Sequence, residues 1–467
     1  MKAMNEFIYW SATRLAREIR QRSLSAVEVT NACIDRIKEV NPKINAVVQL
    51  TIERALAEAA ALDRKAAKGE FIGPLHGVPI TIKDSLDTAG IVTTGGTKGR
   101  EHYIPETDAP VVARLRAAGA ILLGKTNTPE LTLSGETNNL IYGRTNNPYD
   151  LDRSPGGSSG GSAAIIACAG SALELGSDTG GSIREPAHLN GITGIKPTSG
   201  RTPRTGHIIS FTGGVLDSLT QIGPMARYVE DLCLALPLIC GPDGCDPSVV
   251  PVAIGDAAKI NLPELRIAWY SDNEISPLDD NIRRVIEDVA AALKSDGLNI
   301  EEQLMPGMER LVDLSTQLRE SINAGLIMRL LDRYGTTEPG PDLDGYLTEA
   351  GIANANLLNP AIVEQIDQAK SDALGFFKNY DVILCPASKE LARPHKASQG
   401  DSFKDWSYIT MHNLLGWPGV SVRAGTSSQG NLPVGVQLVA APWREDIALA
   451  LAARVESLMG GYQKPPL

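Results

Sequence analysis

The chain has 467 residues, 43% of them hydrophobic and 21% charged, enough for a large packed core and unlike a disordered or fibrous polymer. Its 44 Lys and Arg against 55 Asp and Glu give a net charge of -11, which weighs against nucleic acid as a partner, since phosphate backbones are bound by surplus cations. The six cysteines (Cys33, Cys168, Cys233, Cys240, Cys245 and Cys385) show no CxxC pair and read as buried free thiols, so no disulfide framework, metal or cofactor is expected.

The N-terminal Met1–Glu6 lacks the apolar run of a signal peptide, and no segment has the apolar length of a membrane helix, so a cytoplasmic protein without a membrane span is expected. Residues 11–69 read as helices. Ser25 with Glu28 forms a capping-box pattern, and Val29, Cys33, Ile37 and Val40 follow near helical spacing. Asn41-Pro42 is expected to stop that helix. A third helix runs from Ile52 to Lys68 and closes at Gly69.

From residue 75 short strands and helices alternate. Val78–Ile82 reads as a strand that delivers Lys83 and Asp84 to its end. A helix is expected over Val111–Ala118, a buried strand over Ala120–Leu123, and a small-residue helix over Ser162–Leu173. Residues 241–262 are rich in Pro, Gly and Asp and read as a surface connection. Beyond them the pattern gives a strand at Leu265–Trp269, a helix at Asp279–Ser295 and a mostly helical span over 305–378, broken at Gly335–Pro341. Strands at Asp381–Pro386 and Val434–Val439 and a closing helix at Asp446–Leu458 complete the chain. The alternation implies α/β layering, and nothing divides the chain cleanly, so one large domain is expected.

Two motifs mislead. Gly119–Thr126 satisfies the P-loop pattern, but its central Ala-Ile-Leu-Leu reads as the strand itself and leaves no polar loop for phosphate. Gly156–Gly160 satisfies GxSxG, yet Asn146–Pro155 before it is loop-like, where a nucleophile elbow needs a strand. His188, His207, His395 and His412 lie downstream in no distinctive setting. A Ser-His-Asp esterase of the α/β-hydrolase type is therefore the weaker enzyme reading.

The chemistry concentrates in two glycine-packed serine loops, Gly156-Gly157-Ser158-Ser159-Gly160-Gly161-Ser162 and Ser177-Asp178-Thr179-Gly180-Gly181-Ser182-Ile183-Arg184. Glycine lets backbone bend sharply and approach a ligand, and serine supplies a hydroxyl that can attack. Together with a strand ending in Lys83, the loops offer the hydroxyls, base and main-chain N–H groups that acyl transfer requires.

Gly73–Ile91, carrying Lys83, resembles the lysine-bearing segment of the amidase signature hydrolases. The two serine loops are similar to that family's pair, and Gly194–Thr198 and Leu432–Leu438 match further landmarks. The resemblance spans most of the chain and implies an α/β fold, a large mixed β-sheet core covered by helices on both faces. It also implies one domain over 1–467, with a helical cover over about 1–70, the signature core over about 74–230 and a mostly helical substrate-side region over about 300–400. It places the catalytic triad on Lys83 as base, Ser158 as bridging serine after a cis peptide from Gly157, and Ser182 as nucleophile. The oxyanion hole falls on the N–H groups of Thr179, Gly180, Gly181 and Ser182, with Ser159, Asp178 and Arg184 supporting the loop. Two residues depart from the usual pattern, Glu185 and Asn190.

Lysine serves as a base only when neutral, so Lys83 must be desolvated, and Asp84 is expected to point away from it. Substrates implied by the family are amides and anilides, with carbamates and esters open, and water as co-substrate. Thr132, Tyr142, Ile183 and residues of the 305–400 segment are candidates to line the pocket. A free-standing amidase, with a homodimer open, is favoured over the glutamine-hydrolysing subunit of a tRNA-dependent amidotransferase. An inactive binding scaffold is disfavoured because all three triad positions are filled.

Overall fold

The computed structural model describes residues 6–211, 218–353, 360–395 and 403–467. Parts of the three regions expected above, residues 1–5, 212–217, 354–359 and 396–400, lie outside that set.

The first helices cap themselves. In α1 (Ala12–Gln21) the Ser11 hydroxyl accepts from the Arg14 N–H at 3.0 Å. In α2 (Ala26–Ile44) the Ser25 hydroxyl accepts from the Glu28 N–H at 3.1 Å, and Glu28 accepts in return from the Ser25 N–H at 2.8 Å. The stop expected at Asn41-Pro42 is a correction: the helix carries Pro42 inside its last turn and ends at Asn45, whose φ is 48°. Proline removes one helical donor there, while the Asn41 side chain accepts from the N–H groups of Ala46 and Val47 at 2.8 Å and directs the exit. That exit makes β1 (Val47–Leu50), a strand absent from the sequence reading, before α3 (Ile52–Ala67).

The central segment supplies β2 (Pro79–Lys83), α4 (Pro110–Ala117), β3 (Ile121–Thr126), α5 (Gly160–Ala167), β4 (Leu173–Asp178), α6 (Arg184–Leu189), β5 (Thr193–Lys196), β6 (Gln221–Ala226) and α7 (Val229–Ile239). The C-terminal part adds β7 (Arg266–Trp269), α8 (Asp280–Ser295), β8 (Asn299–Glu302), α9 (Met308–Tyr334), α10 (Glu349–Ala353), α11 (Pro360–Leu374), β9 (Val382–Pro386), α12 (Ser407–Leu415), β10 (Gly419–Thr426), β11 (Pro433–Ala440) and α13 (Glu445–Met459). The expected helix over Ser162–Leu173 is shorter than its composition suggests. Ala169 takes a left-handed φ of 61° and the Gly170 N–H turns back to the Ile165 carbonyl, which ends α5 and frees Leu173 to begin β4.

The strands form one mixed eleven-stranded sheet in the order β1-β3-β2-β4-β6-β5-β10-β11-β9-β7-β8. β2 runs parallel to both β3 and β4, and β7 parallel to β8 and β9; the remaining neighbours are antiparallel. Side chains of a strand alternate between faces, so strands buried at every position must be covered on both. β2, β3, β4, β6 and β11 are buried throughout, which places helices on both faces of the sheet. At one edge β8 is largely exposed. Among the described residues no helix is long and apolar enough to cross a membrane. The cysteines are all free, but Cys245 is exposed and Cys233 and Cys240 are half-buried, against the expectation of uniform burial.

Small residues let the layers approach closely. A Cβ added at Gly161 would stand 2.5 Å from the Asn127 nitrogen, so α5 can begin directly over the strand ends only with glycine there. In β6, a Cβ at Gly223 would stand 1.9 Å from the Ile195 carbonyl oxygen. Gly223→Ala is therefore expected to destabilise the protein by roughly 2 kcal/mol or more, because backbone on both sides must shift. Thermal unfolding checks this; a melting temperature equal to the parent's would contradict the close approach of β6 to the segment carrying Ile195.

Candidate active site

The parallel pair β2 and β4 ends at Lys83 and Asp178, and the two serine loops lie at those carboxyl ends. Lys83 is fully buried. Its amine lies within hydrogen-bond distance of the hydroxyls of Ser158 at 2.6 Å, Ser159 at 2.9 Å and Ser177 at 3.0 Å. The Gly157–Ser158 peptide is cis. Thr128 holds the Ser158 carbonyl at 3.0 Å, and Thr137 holds that of Gly156 at 2.9 Å.

Burial drives the Lys83 amine well below its ordinary value, with Asp178 and Glu174 pulling weakly the other way. Those acids are occupied elsewhere. Burial would raise Asp178, but Arg184 and Asn413 outweigh it and hold the carboxylate well below its usual range. Glu174 accepts from Thr81, and burial pushes it to about 8. Asp84 accepts from the Thr94 N–H at 3.0 Å and from its hydroxyl, and so turns away from Lys83. Burial raises it to about 6 against the pull of Lys125.

Asp178 organises the second loop. It accepts from the Gly181 N–H at 2.8 Å, from Arg184 Nε at 3.0 Å and from Asn413 Nδ2 at 2.8 Å. Arg184 continues to Asn413 Oδ1 at 2.6 Å and Gln437 Oε1 at 3.2 Å. Ser159 joins the loops: its N–H donates to the Ser182 carbonyl at 3.2 Å. Thr179, Gly180 and Ser182 border a cavity of about 100 Å³ together with Gly157, Thr132, Ser134, Arg319, Tyr346, Trp406 and Thr410.

Three expectations are corrected. The Gly181 N–H donates to Asp178, so of the four expected oxyanion donors this one is already engaged. Ile183 is fully buried in an apolar cluster with Ala163, Ile166 and Met225 and does not face the cavity; at the start of α6 it points into the core. Tyr142 is absent from the cavity wall, and its hydroxyl accepts from Gln49 at 3.1 Å. Thr132 does line the cavity.

The two unusual residues find places nearby. Asn190 Nδ2 donates to the Pro155 carbonyl at 2.7 Å and the Pro186 carbonyl at 2.8 Å, tying the first serine loop to α6. Glu185 is buried below the Gly157 backbone, and burial pushes it to about 8 despite Arg393.

Sequence reasoning missed Ser177, although it stands inside the quoted motif, and missed Asn413 and Trp406, which no motif marks; Arg319 and Tyr346 come from the 305–400 segment expected to line the pocket, though neither was singled out. Neither decoy survives. The Gly119–Thr126 pattern is β3, with Lys125 buried against the Leu86 carbonyl and Thr88. Among the described residues no histidine bonds to Ser158 or Ser182: His188 meets main-chain groups of Gly435 and Glu390, and His395 pairs with Glu136.

The family model named Amidase matches residues 28–449. The chain belongs to the amidase signature family. The amidase is 37% identical to the A subunit of the glutamyl-tRNA(Gln) amidotransferase of Carboxydothermus hydrogenoformans, over 97% of each chain. It is 34% identical to an acylamidase of Rhodococcus erythropolis, over 98% of each. Its fold matches a solved structure of 6-aminohexanoate cyclic dimer hydrolase with a TM-score of 0.87 and 28% identity, over 98% of this chain and 99% of that one. It is a hydrolase of carbon–nitrogen bonds.

The amidase holds Arg184 and Asp178 fully buried against each other. Asp178→Asn keeps the side chain's shape but leaves the guanidinium without its counter-charge, at an expected cost of about 3–5 kcal/mol. Urea unfolding measures it; an unchanged midpoint would mean that Arg184 is satisfied without Asp178.

Proposed function

We propose that this amidase is a free-standing hydrolase of small amides and anilides that works through an acyl-enzyme on Ser182. Ser158 passes the proton, and neutral Lys83 is the terminal base. The observation that carries this reading is the Lys83 amine, sealed from water at 2.6 Å from Ser158. A serine hydroxyl attacks only when a base can take its proton, and an ammonium cannot. Desolvation supplies the neutral amine.

In this mechanism Ser182 Oγ attacks the carbonyl carbon while its proton moves to Ser158 and the Ser158 proton moves to Lys83. The N–H groups of Thr179, Gly180 and Ser182 receive the oxyanion, each good donor contributing roughly 3–4 kcal/mol. The relay then returns a proton to the leaving nitrogen, the C–N bond breaks, and water attacks the acyl-enzyme by the same route. Carbamates fit the same machinery, since they need room for a second heteroatom and no new group.

The glutamine-hydrolysing subunit is the second reading, favoured by the 37% identical amidotransferase chain. It requires partner proteins. Glutaminase activity that appears only with such partners, and no turnover of anilides by the chain alone, would replace the first reading with this one.

A fluorophosphonate probe followed by peptide mass spectrometry is expected to place the adduct on Ser182, and Ser182→Ala to remove it. An adduct on another residue would reassign the nucleophile. Lys83→Ala is expected to lower kcat by about 10²–10⁴ with the fold intact. Since the lowered amine must be unprotonated to act, kcat/KM is expected to fall about tenfold per pH unit below its pKa. A profile flat from pH 5 to 9 would remove Lys83 as a base titrating in that range.

A further inference from the structure

Arg319 reaches the cavity from α9, far in sequence from either serine loop. One of its nitrogens, Nη2, donates to the Thr179 carbonyl at 2.8 Å. The guanidinium lies against Gly180, where an added Cβ would stand 3.0 Å from Nη2 and 3.4 Å from Cζ and Nη1. Its Nε is shielded from solvent and has no partner among the described residues. Among those residues it forms no ion pair. The one carboxylate acting on it through space is Asp178, which Arg184 already neutralises.

Buried guanidinium groups elsewhere in the chain make more bonds or an ion pair, although Arg100, Arg227 and Arg423 also leave Nε, and Arg204 one Nη, without a partner among the described residues. Arg184 holds Asp178, Arg201 holds Glu445, and Arg204 holds Asp246. Arg227 spends its two Nη groups on four main-chain carbonyls. Arg319 alone among all of these borders the cavity that contains Ser182, and it is matched by one carbonyl. A desolvated guanidinium with open donors recovers its lost hydration best from a carboxylate, by charge-assisted and often bidentate hydrogen bonds. Of the other charges near the cavity, Arg393 lies beside Gly135 and is paired with Glu390, while Asp342 interacts with Ser134, where it is raised by burial and by Glu136 and Glu130. Those acids disfavour a second anion there, so the cavity receives negative charge at its Arg319 side.

We propose that Arg319 is a specificity residue for substrates that carry a carboxylate a few atoms from the scissile amide. The proposal rests on the reading of Ser182 as nucleophile. The preferred substrate class is then an acid-bearing amide, such as the monoanilide of a dicarboxylic acid or an acylated amino acid, rather than a neutral amide.

Two matched pairs test this and separate the two sides of the bond. On the acyl side, glutaric acid mono-4-nitroanilide is compared with pentanoyl 4-nitroanilide. On the amine side, 4-butyramidobenzoate is compared with 4-butyramidoacetophenone. The acid member of one pair is expected to have a kcat/KM about tenfold or more above its neutral partner. Arg319→Gln should erase that ratio, whatever it does to turnover of the neutral compound, and Arg319→Lys should keep part of it. The ratio is internal to each protein and is unaffected by partial loss of folded material. Parity within both pairs for the parent enzyme, or an unchanged ratio in Arg319→Gln, would overturn the proposal. Ser182→Ala distinguishes the layers: persistent turnover in that variant sinks the nucleophile reading, whereas Ser182-dependent turnover without acid preference sinks only the subsite.

Discussion

The site depends on an amine held in a dry interior with hydroxyls, and no carboxylate, at its tip. An ammonium in low dielectric is costly unless an anion compensates it, so the partners decide the protonation state. Around Lys83 each nearby acid is committed to another group. Asp178 is clamped by Arg184 and Asn413, Asp84 by Thr94, and Glu174 is itself pushed to about 8 by burial. What remains for the amine is Ser158, Ser159 and Ser177. Rewiring any of these acids toward Lys83 would favour its charged form.

This arrangement follows from the sheet. Parallel β2 and β4 bring their carboxyl ends side by side, which places Lys83 next to the start of the second serine loop. Ligand sites in α/β sheets gather at such ends. The first serine loop then has to enter from the side, beneath α5, and glycine at position 161 allows the backbones to meet. Coverage on both faces of the sheet removes water from the amine. Layering and catalysis are in this sense one constraint: a thinner cover over β2 would leave an ordinary, protonated lysine.

Much of this is legible in the sequence because the loops carry their chemistry in residue type. Glycine beside serine, twice, and a lysine after an apolar β-branched run identify a dry site with hydroxyls and main-chain donors. The missed strands have a physical reason. β6 reads Gln-Ile-Gly-Pro-Met-Ala and β5 Thr-Gly-Ile-Lys, whose glycines and proline look like turns until neighbouring strands on both sides supply the pairing. Ile183 reads as a pocket residue from its place beside Ser182, but the first turn of α6 rotates it into the core. Arg319 and Tyr346 are legible only as members of the 305–400 segment, and Trp406 not at all. They come from segments without a motif, and only the fold brings them to the cavity.

That split between a legible centre and an illegible wall has a consequence for how such an enzyme changes. The serine loops and Lys83 lie in the first half of the chain, which also supplies most of the cavity wall, whereas Arg319, Tyr346, Trp406 and Thr410 come from α9, α12 and the segments between them. Substitutions in the wall alter which amide fits without touching the relay. Arg319 is where the two halves meet, since it borders the cavity from α9 and holds the Thr179 carbonyl. On the proposed mechanism, a group bound there would pull on the same loop whose N–H groups are assigned to the oxyanion. If both proposals hold, recognition of a distant acid and stabilisation of the developing charge share one guanidinium, which would tie binding energy from a remote part of the substrate to the geometry of the transition state.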